Sequence, residues 1–353
     1  MVEQKEIFGM LDLMTQPGFC VKDNTIQKVN QAAQALMISP GTEPGALLLT
    51  DPREYADFRG GCLHLTLSLS GRPWGASVIR MDQWDIFLLD DAREGEELRT
   101  LALAARELRK PMDSLMTLAD QLSAQTDPAL CDSIARLNRG LYQMLRVLGN
   151  MSDAGQDPLS SRQETADIGR IFREVFEKAQ TLAISTGITL TYEDLTESVY
   201  CLANAPQLER AVLNILSNGL KFTPKGGSIR ACLQRSGRML RLTVQDSGSG
   251  IAENILSSLF RRHQRQPAIE DPRYGIGLGM ILVRNAAASH GGTVLIDQPE
   301  GAGTRITLTL AIRQSSDTGL HSPVLQLDYA GERDHGLLEL SDVLPAELYR
   351  PDL

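Results

Sequence analysis

Between residues 214 and 279 stand two carboxamides, a lysine, a carboxylate and two clusters of glycine, residue types that together could hold a small polar ligand. Asn214 and Asn218 sit four apart in LNILSNGLKFTP. On a helix that spacing puts both amides on one face, and Lys221 follows within the next turn. Asp246 opens the stretch DSGSGI, where Gly248 and Gly250 allow the backbone to come close to whatever the carboxylate holds. Gly275, Gly277 and Gly279 in YGIGLGMIL form a second glycine turn, opening a helix through Met280 to Ala287. The first amides of such a helix point outward, and its dipole favours an anion there. Each glycine taken alone is explained as a turn. The three elements in sequence describe a site.

In this order and at these spacings the elements resemble the nucleotide-binding domain shared by bacterial sensor histidine kinases, gyrase-type ATPases and related chaperones. The similarity to the histidine kinases runs over roughly residues 93–312. It implies ATP and Mg2+ as cofactors. By resemblance Asp246 accepts a hydrogen bond from the adenine amino group, and Asn218 binds magnesium with Asn214 aimed at the same site. Lys221 then meets a phosphate as a point charge, and Gly275, Gly277 and Gly279 line the phosphates. In ILSSLFRRHQRQP, Phe260 matches the family's phenylalanine box, whereas His263 stands where a second aromatic is usual. Arg265 falls where the family often places a phosphate-contacting arginine, the plain alternative being a solvated charge on the lid at residues 264–274.

One departure bears on activity. In the resembling kinases the phosphoacceptor histidine is followed by Glu, Leu, Arg, a small polar residue and Pro. Here the stretch reads Arg106, Glu107, Leu108, Arg109, Lys110 and Pro111, so Arg106 occupies the acceptor position. Phosphoryl transfer needs a lone pair in line with the leaving group. A guanidinium stays protonated below about pH 12 and has none to offer. Glu107 remains in place as a proton acceptor. Lys110 stands where a Thr or Asn usually supports phosphatase activity. None of the five histidines lies in either helix of the hairpin described next. The expected protein therefore binds Mg-ATP and does not phosphorylate itself on the usual histidine. Three alternatives stay open: an active kinase phosphorylating a partner's histidine in trans, a module that has lost nucleotide, and transfer to Arg106 itself.

The elements that must position these residues follow from periodicity. From Arg93, Leu98, Leu101, Ala105, Leu108, Met112, Leu115, Ala119 and Leu122 recur at steps of three and four, the seam of packed helices. Ile134, Leu137, Leu141, Met144, Leu148 and Met151 form a second seam beyond Pro128. Two such helices make a hairpin, and two hairpins pair into a four-helix bundle, so a homodimer is expected. After a polar linker at residues 153–164, the apolar stretch LAIS, the strand GITLTYED and the pairs IRACLQR/LRLTVQD and TVLIDQ/TRITLTLAI supply a mixed sheet under helices.

Ahead of the hairpin, GFCV, a turn at Asp23 and Asn24, a strand near Ile26 to Val29 and a helix capped by Asn30 are similar to a PAS sensor. His64 in a later strand reads as a satisfied structural histidine rather than a haem ligand. The expected fold is thus multidomain α+β: a PAS-like sensor at 1–91, a dimerising hairpin at 92–154, an ATP-binding two-layer α/β sandwich at 165–313 and an extension at 314–353. That extension carries Leu337, Leu338, Leu340, Val343, Leu344, Leu348 and Tyr349, too apolar for a solvated tail, and should dock.

Composition limits the remaining classes. A net charge of −9 argues against nucleic acid as a partner. Five scattered cysteines without a C-x-x-C pair read as reduced core residues. No apolar run is long enough to span a bilayer and the first residues lack a signal peptide's pattern, so a cytoplasmic location is expected. A response regulator or a partner kinase is the expected second partner.

Overall fold

The computed structural model describes residues 4–90, 92–124, 130–158, 162–196, 199–251, 277–299, 303–313 and 333–350. Its N-terminal unit runs α1 (Gln4–Leu13), β1 (Gly18–Lys22), β2 (Thr25–Val29), α2 (Gln31–Ala35), α3 (Pro52–Ala56), β3 (Cys62–Leu69), β4 (Arg72–Met81) and β5 (Trp84–Leu89). Asp23 and Asn24 both take positive φ, the geometry of a two-residue hairpin turn, and so join β1 to β2. Asn30 does more than cap α2. Its Oδ1 accepts from the Ala33 N–H at 2.9 Å and the Gly18 N–H at 3.1 Å, while Nδ2 donates to the Gln16 carbonyl at 2.6 Å. Phe19 stacks on Phe87 with ring centroids 4.6 Å apart, at the centre of the unit's core. His64 is buried with Nδ1 3.4 Å from the Ser77 hydroxyl, as a structural histidine would be.

Two long helices follow, α4 (Ala92–Ala124) and α5 (Cys131–Ala154). They are antiparallel: Ser123 meets Asn138 at one end, and Gly155 lies against Ala102 at the other. Met112, Met116 and Ala119 of α4 close on Leu141 and Leu145 of α5. The other half of the seam is not covered. Leu108, Leu115 and Leu122, and Leu137 and Met144, all stay exposed.

The third unit contains β6 (Glu164–Asp167), α6 (Ile168–Ala183), β7 (Thr189–Asp194), β8 (Tyr200–Ala203), α7 (Ala205–Phe222), β9 (Ser228–Ser236), β10 (Met239–Asp246), α8 (Leu278–Ser289), β11 (Val294–Asp297) and β12 (Arg305–Ala311). The stretch LAIS, expected to contribute to the sheet, instead finishes α6 and turns through a 3-10 segment, Ile184–Thr186. Gly187, at φ 73°, ends that turn and releases the chain into β7, which pairs in parallel with β9. Phe172 and Phe176 of α6 and Leu208, Val212 and Leu216 of α7 bury against Ile229, Leu240 and Leu242 of the sheet.

The sheets of the first and third units are one. β3 pairs antiparallel with β11, Cys62 opposite Ile296 and His64 opposite Val294, giving a ten-stranded order β2-β1-β5-β4-β3-β11-β12-β10-β9-β7. Side chains reinforce the junction. Glu54 of α3 accepts from Thr293 at 3.3 Å and faces Arg241 at 3.5 Å, and Asp90 meets Arg284 of α8 at 3.1 Å. The expected docking of the extension is also observed. α9 (His335–Glu339) and the 3-10 turn Ala346–Tyr349 pack against α5, α6 and α7.

Candidate nucleotide site

α7 begins at Asn204, whose side chain accepts from the Gln207 N–H at 3.0 Å. The backbone N–H of Asn204 donates to His290 Nε2 at 3.0 Å, which leaves Nδ1 as the protonated nitrogen, 2.7 Å from the Ala286 carbonyl. Burial holds the His290 pKa below its ordinary value, so the ring is neutral. This pair of bonds ties the start of α7 to the end of α8.

Along α7, Asn214 and Asn218 both project toward α8. Asn214 is only 1% exposed and donates to the Arg210 carbonyl at 2.9 Å. A Cβ on Gly279 would stand 2.7 Å from Asn214 Oδ1, so this glycine lets the two helices approach. Asn218 is half-buried and its Nδ2 lies 3.5 Å from Met280 Sδ. Gly277, at φ 85°, is the N-cap of α8, where an L side chain would be strained.

The carboxylate of Asp246 ends β10. Its Oδ1 accepts from the Gly248 N–H at 2.8 Å and the Thr304 N–H at 3.2 Å. Burial pushes its pKa up and these donors pull it down, with burial the larger effect. Gly248 is required by proximity, because a Cβ there would meet the Phe222 carbonyl oxygen at 2.6 Å. Gly250, at φ 76°, faces the Gln298 amide. Lys221 is half-buried, with Nζ 3.8 Å from Asp342 Oδ2. The amides of α7 therefore face the start of α8, and the Asp246 turn lies against the C-terminal end of α7 at Phe222. Gly275 and Arg265, like Phe260 and His263, lie outside the described residues.

Arg106 and Glu107 are exposed on α4, while the neighbouring Ala105 is buried. Among the described residues no hydrogen bond or ion pair joins either of them to the α7–α8 seam. Sequence reasoning missed a set of charges behind that seam. Arg210, within α7, bonds Asn150 at 2.6 Å, Asp153 and Glu339, and Arg146 of α5 bonds Ser217 at 3.0 Å and Glu339 at 3.2 Å. An arginine in the apolar run RAVLNIL was the available signal. It called for a buried anion without saying which.

Among the described residues no group of three or more His, Cys, Asp or Glu is placed to hold a metal. A magnesium ion is instead well served by one amide oxygen plus phosphate oxygens and water, the chemistry Asn218 offers.

The α/β unit that carries this seam matches a known ATPase family. Residues 203–314 match the family described as Histidine kinase-, DNA gyrase B-, and HSP90-like ATPase. Similar curated proteins include histidine protein kinase DivJ of Caulobacter vibrioides, 30% identical over 64% of this chain and 40% of that protein. Sensor histidine kinase RppB of Synechocystis sp. is 27% identical over 60% of this chain and 48% of that protein. Full-length ShkA, solved with AMPPNP, superposes with a TM-score of 0.49 at 22% identity, covering 61% of this chain and 46% of that one. The chain is thus similar to sensor histidine kinases over 60–64% of its length, and the ATPase family match lies within its residues 203–314. It spans less than half the length of the two curated relatives just named. No helix among the described residues is long and apolar enough to cross a membrane.

Proposed function

We propose that this protein is a signalling dimer of the two-component type that binds Mg-ATP and does not phosphorylate itself at the usual position. In this reading Asp246 recognises adenine, with Gly248 and Gly250 giving the base access. Asn218, backed by Asn214, holds the metal, Lys221 meets a phosphate, and the Gly277 cap directs the first amides of α8 at the anion. The N-terminal unit acts as a PAS-type sensor. The uncovered strip of Leu108, Leu115, Leu122, Leu137 and Met144 pairs with the same strip on a second copy. A response regulator is the downstream partner.

The single observation behind the loss of self-phosphorylation is the exposed Arg106 on α4, standing in the acceptor register with Glu107 beside it. The charge is accessible, but it has no lone pair for an in-line attack. Incubation with γ-labelled Mg-ATP is expected to leave no acid-labile, base-stable phosphate on the wild-type chain. Arg106→His restores an imidazole beside Glu107, which accepts its proton, and labelling of residue 106 is expected to appear. Strong labelling of the unaltered protein would refute the reading. Labelling of a co-incubated kinase's histidine would instead establish transfer in trans.

A further inference from the structure

The C-terminal residues 333–350 lie in the cleft between α5 and the helices α6 and α7, and they belong to both sides of it. Leu338 is fully buried in the hairpin's cluster with Met112, Met116, Leu141 and Leu145. Leu340, Leu344 and Tyr349 are buried in the core of the ATPase unit, and Tyr349 also meets Tyr142 of α5 edge to face. Between these two anchorages sits Glu339, with no exposed surface. One of its oxygens accepts from Arg146 Nε of α5 at 3.2 Å and the other from Arg210 Nε of α7 at 3.1 Å. A buried carboxylate is tolerated only when its partners are in place, and so are two buried arginines. The segment is therefore a fitted part of the interface.

Three residues on, Asp342 presents its carboxylate to Arg146 at 2.5 Å and to Lys221 at 3.8 Å. Arg139 and Gln143 of α5 hold the Ser341 carbonyl at 3.0 and 3.1 Å, which fixes where that carboxylate points. An anion thus faces the lysine that the nucleotide reading assigns to a phosphate. At the same time Glu339 joins α5 to α7, the helix that carries the amides.

We propose that residues 333–350 are an inhibitory strap, in which Glu339 clamps the ATPase unit onto the hairpin and Asp342 competes with the nucleotide's phosphates for Lys221. The Lys221 part rests on the nucleotide reading above; the clamp does not. Two mild variants of the full chain separate these parts. Asp342→Asn keeps the side chain's shape and removes its charge. Tyr349→Ala loosens the far anchor without exposing Arg146 or Arg210 to an unpaired state. Calorimetric titration with Mg-ATP is expected to show about five-fold tighter binding for Asp342→Asn, the worth of one screened ion pair. Tyr349→Ala is expected to tighten binding as well. Hydrogen exchange without nucleotide is expected to show lost protection in α5 over residues 135–146 for Tyr349→Ala, and little change for Asp342→Asn. Unchanged affinity in both variants, or wild-type protection in Tyr349→Ala, would overturn the proposal. If no form binds Mg-ATP while Tyr349→Ala still loosens α5, the nucleotide reading has failed and with it the inhibitory role, leaving only a clamp.

Discussion

Leu115 offers the sharpest test of dimerisation. It lies at the middle of the strip Leu108, Leu115, Leu122, whose members are 52%, 47% and 56% exposed although they repeat every seven residues of α4. Fully burying a leucine is worth about 1.5–3 kcal/mol, so completing the burial of Leu115 contributes roughly 1 kcal/mol per chain. Leu115→Glu removes that gain twice in a two-fold dimer. It also forces each carboxylate to be desolvated or protonated, and neutralising a glutamate at pH 7 costs roughly 3–4 kcal/mol. Even with partial relief by water, the sum exceeds about 5 kcal/mol per dimer, more than a thousand-fold in the dissociation constant. Sedimentation velocity at micromolar concentration is expected to show a dimer for the wild type and a monomer for Leu115→Glu. Leu103→Glu, on the outer face of the same helix, is expected to remain dimeric. A monomeric wild type, or a Leu115→Glu variant that still sediments as a dimer, would refute the pairing of these strips.

Two further outcomes test the scaffold behind the site. His290 is buried and neutral, with a folded pKa held below 6.5. The unfolded chain therefore takes up a proton that the folded one refuses, and stability present above about pH 6.5 is lost as pH falls. Urea midpoints are expected to fall between pH 7 and 5.5, and His290→Gln is expected to flatten that slope; an equal slope in both forms would remove His290 as the cause. Gly279→Ala places a methyl 2.7 Å from Asn214 Oδ1 and is expected to cost about 1–3 kcal/mol by urea unfolding, with weaker Mg-ATP binding. An unaltered midpoint would show that α7 and α8 yield freely.

Much of this architecture was legible locally because its determinants are local. The Asn30 cap, the hairpin turn at Asp23 and Asn24, and the helix holding Asn214 and Asn218 each depend on neighbours a few residues away. The heptad spacing marked the two helices of the hairpin, whose seam the packing of α4 on α5 covers only in part. LAIS misled because a short apolar run reads alike at a helix end and in a buried strand, and only Gly187 marked which it was. The partners of Arg146 and Arg210 could not be read. They lie in the tail, and nothing in a run of apolar residues says which groove will bury it. The pairing of β3 with β11 was hidden for a related reason, since a strand edge carries the same backbone groups whatever its partner.

That pairing makes the link between the N-terminal unit and the ATPase-type unit discrete. A ladder such as Leu63 opposite Leu295 cannot slide by a fraction of a residue, because a slip of one position turns every side chain of β3 to the opposite face. The N-terminal unit consequently has two states available toward its neighbour, joined in this register or parted. Parting would expose an edge on both halves and free Glu54 and Asp90 from Arg241 and Arg284 in one step. Any coupling carried through this sheet would therefore behave as a latch rather than a dial.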